Sequence, residues 1–237
     1  MSRNPPFISR RISLRFLPAL PSEHTTTIVL NGGGRTRLYT DFRPLIADPS
    51  ACEWAFAGAK EDLEDGRCRW TRVVDSHWAN GHDGDGEEEA DIGRCEPLPN
   101  GDELETGEMR NPDTGRVEPY EEVWREEKVE RGSRVVVLQL YDAERRARGV
   151  CIRVGAWAQG VAASQGALVY ARRWKFEKIG GLSQGEWVLD AAYGDGAKTM
   201  PEPRGKTLED SHMEIPREEG SALVWEIEED YTWDGEE

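Results

Sequence analysis

Residues 51–70 read ACEWAFAGAKEDLEDGRCRW. Trp54–Ala59 has the composition of a strand, Asp65-Gly66 is a turn pair, and Cys68–Val74 returns as a second strand. Residues 155–174, GAWAQGVAASQGALVYARRW, repeat the phrase: Trp-Ala near the start, a glycine soon after, Arg-Trp at the end. Two more dipeptides recur in the same order. Leu38-Tyr39 returns as Leu140-Tyr141, and Val123-Trp124 as Val224-Trp225. All four anchors are 101 to 104 residues from their copies. One dipeptide match means nothing; four collinear ones argue for duplication. The period is too long for a solenoid, whose units run roughly 20 to 50 residues, and matches a small domain.

The rest of the chain reads as strands. Ile12–Leu17 alternates, Thr25–Leu30 is β-branched, Asn31-Gly-Gly-Gly34 is a turn, and Arg35–Asp41 completes a hairpin. Val123–Lys128, Arg134–Tyr141, Val150–Val161, Leu168–Lys178, Glu186–Ala192 and Ala222–Tyr231 follow. Helix signals are scarce: VAASQ, Val161–Gln165, reads as one turn, and the charged Arg125–Arg131 has helix propensity but is too short and follows a strand-like Val123-Trp124. Two polar stretches, Ala79–Gly107 and Gly194–Arg217, read as long loops. The expectation is an all-β chain of two tandem related antiparallel β-barrel domains, 1–118 and 119–237.

The 237 residues carry a net charge of −16 from 30 basic and 46 acidic side chains. Such a surface repels phosphate backbones, which argues against nucleic-acid binding. No apolar run reaches the roughly 18 residues of a membrane span, so no membrane insertion is expected. The N-terminus has no continuous apolar core of a signal peptide. Cys52, Cys68, Cys95 and Cys151 show no zinc spacing and read as reduced thiols. Nine tryptophans are many for this length, and such rings fill cores or line cavities. Trp54, Trp70, Trp157 and Trp174 are therefore candidate cavity or core residues, the core reading being the simpler.

Catalytic signatures are missing. There is no HExxH, GxSxG or P-loop, and Gly32-Gly33-Gly34 opens no helix that would cradle phosphate. Asp83-Gly84-Asp85-Gly86-Glu87 invites a calcium reading, but positions six and twelve of an EF-hand loop would be Glu88 and Arg94. His77 and His82 lack a third ligand, and His212 alone carries no haem assignment. Asp75, Ser76 and His77 are adjacent in sequence, which is not a triad. No catalytic residue, metal or cofactor is expected. Asp75, His77 or Glu105 would be the acid or base of any barrel enzyme.

At CEWAFAG, ELETGE, YEEVWRE and RVGAWAQG the chain resembles the fungal Hri family, proteins named for interaction with a casein kinase I. The resemblance runs from about Ile12 to Trp225 and implies two lipocalin-like β-barrels in a cytoplasmic and nuclear protein. It implies a casein kinase I homologue as partner, with a Sec-family translocon component as a further one, and no established catalysis. The leading expectation is thus a non-catalytic interaction protein. Ser211, after Glu209-Asp210, and Thr232, after Glu228-Glu229-Asp230, are the candidate phosphorylation positions. The alternatives are a small-molecule carrier using a barrel cavity and a cavity-based isomerase or cyclase.

Overall fold

The computed structural model describes residues 4–78, 91–144, 146–164, 167–180, 184–216 and 223–235. Eight antiparallel strands form a closed barrel in sequence order. They are β1 (Phe7–Phe16), β2 (Ile28–Asn31), β3 (Leu38–Pro44), β4 (Cys52–Asp62), β5 (Arg67–Asp75), β6 (Asp91–Pro97), β7 (Glu103–Arg110) and β8 (Val117–Glu127). β8 closes the barrel on β1, from Ile8 opposite Glu127 to Phe16 opposite Tyr120. The chain leaves the barrel only after Glu127, so the boundary expected at 118/119 falls inside β8.

The second half contains β9 (Arg134–Asp142), β10 (Ala147–Val154), β11 (Trp157–Ser164), β12 (Ala167–Lys178) and β13 (Gly185–Tyr193). A 3-10 turn at Asp195–Thr199 leads to β14 (Glu202–Arg204), β15 (His212–Glu214) and β16 (Trp225–Thr232). Its sheet has the order β13-β12-β11-β10-β9-β16, and β14 pairs only with β15. The second half thus copies the strand order of the first. Its last strand again pairs with its first, while the hairpin equivalent to β6–β7 stands apart. Among the described residues the second sheet is therefore open where the first is closed.

Several expectations change in detail. Val150–Val161 is two strands, because Gly155, with φ of 54°, turns the chain between Val154 and Trp157. Val161–Ser164 belongs to β11 and not to a helical turn. The stretch 91–107 expected as loop is mostly β6 and β7. The early part of that loop, with His82 and Asp83–Glu87, lies outside the described residues. The 194–217 stretch includes the 3-10 turn and the β14–β15 pair.

Strand alternation sorts the side chains into three packed regions. One face of the second sheet (Val135, Val137, Ile152, Val161) packs on the outside of the barrel at Ile28, Leu30, Phe42 and Ala55. The opposite face (Val136, Leu138, Leu140, Trp174) is covered by Ala197 and Met200. A third cluster, Val29, Tyr39, Phe56 and Trp124, lies inside the barrel.

Polar contacts fix the two halves together. Gln159 Nε2 donates to the carbonyls of Ile28 (2.9 Å) and Thr40 (3.1 Å), and Arg173 Nη1 donates to the Thr26 carbonyl (2.6 Å). The Gly-rich turn forms a clasp with β16. Glu229 Oε1 accepts the N–H groups of Arg35 (3.0 Å) and Thr36 (2.9 Å) and the Thr36 hydroxyl (2.8 Å). Gly34 has φ of 61°, and a Cβ there would lie 1.9 Å from the Glu229 carboxylate. The turn thus holds an anion supplied by the chain itself, through the N–H groups of the two residues that follow the glycines, with Gly34 leaving room for the carboxylate.

Candidate ligand cavity in the closed barrel

The period of two aims alternate residues of each strand into the barrel. β3 contributes Tyr39, Asp41 and Arg43; β7 contributes Glu103 and Glu105; β8 contributes Glu122, Trp124 and Glu126. Phe7, Val29, Phe56, Lys60, Trp70 and Asp91 complete much of the wall around a cavity of about 50 Å³. That volume holds roughly four non-hydrogen atoms.

Most of the remaining interior is filled by charged pairs. Arg11 donates to Glu122 (2.8 Å) and Glu23 (2.7 Å). Arg43 pairs with Asp41 at 2.8 Å and reaches Glu122 at 3.4 Å. Arg72 pairs with Asp91 at 2.9 Å and Asp75 at 3.3 Å. Burial raises the Asp41 carboxyl above its ordinary range despite Arg43 beside it. Glu105 has no ion-pair partner among the described residues. Burial, with the charges of Glu122 and Asp91, pushes it up to about 8 against the Tyr120 hydroxyl that donates to it at 2.9 Å. At neutral pH it is a carboxylic acid.

The four candidate tryptophans separate. Trp70 lines the cavity. Trp54 packs beside it, its Nε1 donating to Asp75 at 2.6 Å and its ring stacked on His77 with centroids 4.5 Å apart. The guanidinium carbons of Arg43 and Arg72 lie 5.0 and 4.8 Å from the Trp54 ring centre. Trp157 and Trp174 are away from the cavity: Trp157 packs in the layer between the halves and donates to Glu127 at 3.1 Å, and Trp174 packs on the opposite face of the second sheet. Trp124 was marked by the repeat alone, yet it is a wall residue.

The candidate acid–base residues do not form one site. Asp75 is held by Trp54 and by the His77 N–H (2.7 Å), while the His77 ring lies 3.0 Å from the Glu53 carbonyl. Only Glu105 lines the cavity. Ser211 is fully buried; it donates to the Thr207 carbonyl and accepts from the Trp187 indole. This corrects its reading as an accessible phosphate acceptor. Thr232 is exposed on β16. His212 is on β15, outside any barrel interior, and no group of metal-ligating side chains occurs among the described residues.

A family model described as protein HRI1 matches residues 7–229. The fold is similar to the crystal structure of an uncharacterized protein, YLR301w, from Saccharomyces cerevisiae. The TM-score is 0.67 at 20% sequence identity, over 96% of this chain and 99% of that one. No curated protein matches.

Proposed function

This chain belongs to the HRI1 family, and on that premise we propose that it is a non-catalytic protein-interaction protein, cytoplasmic and nuclear, that docks a casein kinase I homologue. The observation that carries the reading is the open edge of the second sheet. Among the described residues no strand pairs with the outer side of β16. That strand exposes Glu226, Ile227, Asp230 and Thr232. An acidic strand at a sheet edge suits an extended basic segment or a basic kinase groove. Thr232 lies on the same strand, where an associated kinase would reach it. A Sec-family translocon component is a second partner that the family resemblance suggests.

Inside the barrel Arg11, Arg43 and Arg72 are each committed to carboxylates of the chain itself, an arrangement that serves the fold. The test is the doubly substituted Glu226→Lys, Glu228→Lys chain, assayed against the kinase by calorimetry. Binding at least about tenfold weaker is expected from reversed charges at a docking edge. Unchanged affinity would remove β16 as the docking element. The small cavity supports a more limited second activity, carriage of a molecule of a few atoms.

A further inference from the structure

We propose that the cavity of the closed barrel binds a small organic cation that also carries a hydroxyl group, an amino alcohol of about four non-hydrogen atoms. This rests on the cavity as a binding site and is independent of kinase docking.

The first argument is the balance of charge. Asp41 and Glu122 are neutralised by Arg43 and Arg11. Asp91 gives one oxygen to Arg72, but its Oδ1 is buried and has no hydrogen-bond partner among the described residues. Glu103 adds a further carboxylate to the same wall, beside the neutral Glu105. The interior is therefore short of positive charge, and a buried carboxylate oxygen without a donor is unfavourable until a cation meets it.

The aromatic wall provides the second argument. Rings of Tyr39, Phe56, Trp70 and Trp124 surround the space, and aromatic faces attract ammonium groups. The chain already uses this chemistry at the cavity mouth. Lys60 Nζ lies 5.1 Å from the Phe7 ring centre and 5.0 Å from that of Trp70, with Asp62 at 3.9 Å. Phe7, Lys60 and Glu126 also line an outer groove, so this ammonium stands between the groove and the interior.

The hydroxyl follows from the donors. The indole Nε1 atoms of Trp70 and Trp124 are buried without an acceptor among the described residues, and Trp124 is only 6% exposed. A bare ammonium cannot accept from them, whereas an oxygen can. Trp70 sits opposite Asp91 across β5 and β6, and Trp124 opposite Glu103 across β7 and β8. Residues carrying orphan donors and an orphan acceptor thus line the same cavity, which suits a ligand with both kinds of group.

The experiment is a titration of the nitrogen-15-labelled full chain, reading indole N–H resonances. Ethanolamine is the probe, ethylene glycol its uncharged analogue and ethylamine the analogue without a hydroxyl. Ethanolamine should shift the Trp70 and Trp124 signals saturably, with half-saturation on the order of millimolar for so few atoms. Ethylene glycol should shift neither, and ethylamine should bind with smaller indole shifts. Asp91→Asn should weaken ethanolamine at least about tenfold, the unmoved Trp157 signal reporting an intact fold. Lys60→Met removes the competing ammonium and should tighten binding. Equal shifts from ethanolamine and ethylene glycol overturn the proposal. So does the lack of any saturable shift, up to about 100 mM, in both the native chain and Lys60→Met.

Discussion

Glu105 is the residue whose surroundings depart furthest from what its type suggests. A glutamate with an ordinary value of 4.5 is held near 8 by burial and by Glu122 and Asp91. Between those values the unfolded chain has lost the proton and the folded chain keeps it. Folding therefore takes up a proton, and this residue's contribution to stability falls as pH rises from 4.5 through 8. The slope is at most about 1.4 kcal/mol per pH unit. Glu105→Gln keeps an acceptor for Tyr120 and should flatten urea stability across that window; an unchanged slope would contradict the assignment. Trp54 offers a second check. Trp54→Phe keeps the ring but removes the donor to Asp75, and a lost bond to a charged group costs about 1.5–3 kcal/mol. Urea denaturation reads this directly, and an unaltered midpoint would show the bond to be worthless. The sequence made Trp54 and Trp70 visible as rings needing burial. It hid Asp41, Arg43 and Glu122, because charges alternating along a strand look the same whether they face water or a partner inside a barrel.

The element that ties the ends of the chain together is the glycine turn after β2. Its two backbone N–H groups and the Thr36 hydroxyl converge on Glu229 of β16. Glu229→Ala should cost about 2–4 kcal/mol for three charge-assisted bonds with partial replacement by water. It should also speed hydrogen exchange at the Arg35 and Thr36 amides; exchange as slow as in the native chain would contradict the clasp. The turn itself was legible, since consecutive glycines supply positive φ. Its guest was not, being nearly two hundred residues away. β6 and β7 were illegible for a different reason. Asp91, Glu103 and Glu105 face a polar cavity, so the usual alternation of apolar and polar residues is lost, and Pro97, Pro99 and Gly101 crowd the connection. The Gly155 hairpin was hidden inside a long apolar run that reads as one strand.

For the whole molecule, the duplication was legible in outline and misaligned in detail. Both halves run eight strands in the same order, and Trp124 and Trp225 lie on the corresponding last strands. Trp54 and Trp157 do not correspond, lying on the fourth strand of one half and the third of the other; Trp70 and Trp174 fall on the fifth and fourth. Dipeptides are too short to fix a register when strands differ in length. The shared apolar layer between the halves makes them interdependent. Ile28, Leu30 and Phe42 are fully buried only because the second sheet covers them. Urea unfolding followed by tryptophan fluorescence and by circular dichroism should therefore coincide in one transition. Two separated transitions would mean that the halves fold independently. The acidic exterior is the other whole-molecule property, and kinase docking through it is the central claim. The most direct test is the affinity for a casein kinase I homologue measured at low and high salt. Screening of exposed charges predicts that binding weakens steeply as ionic strength rises; an affinity independent of salt would contradict the account.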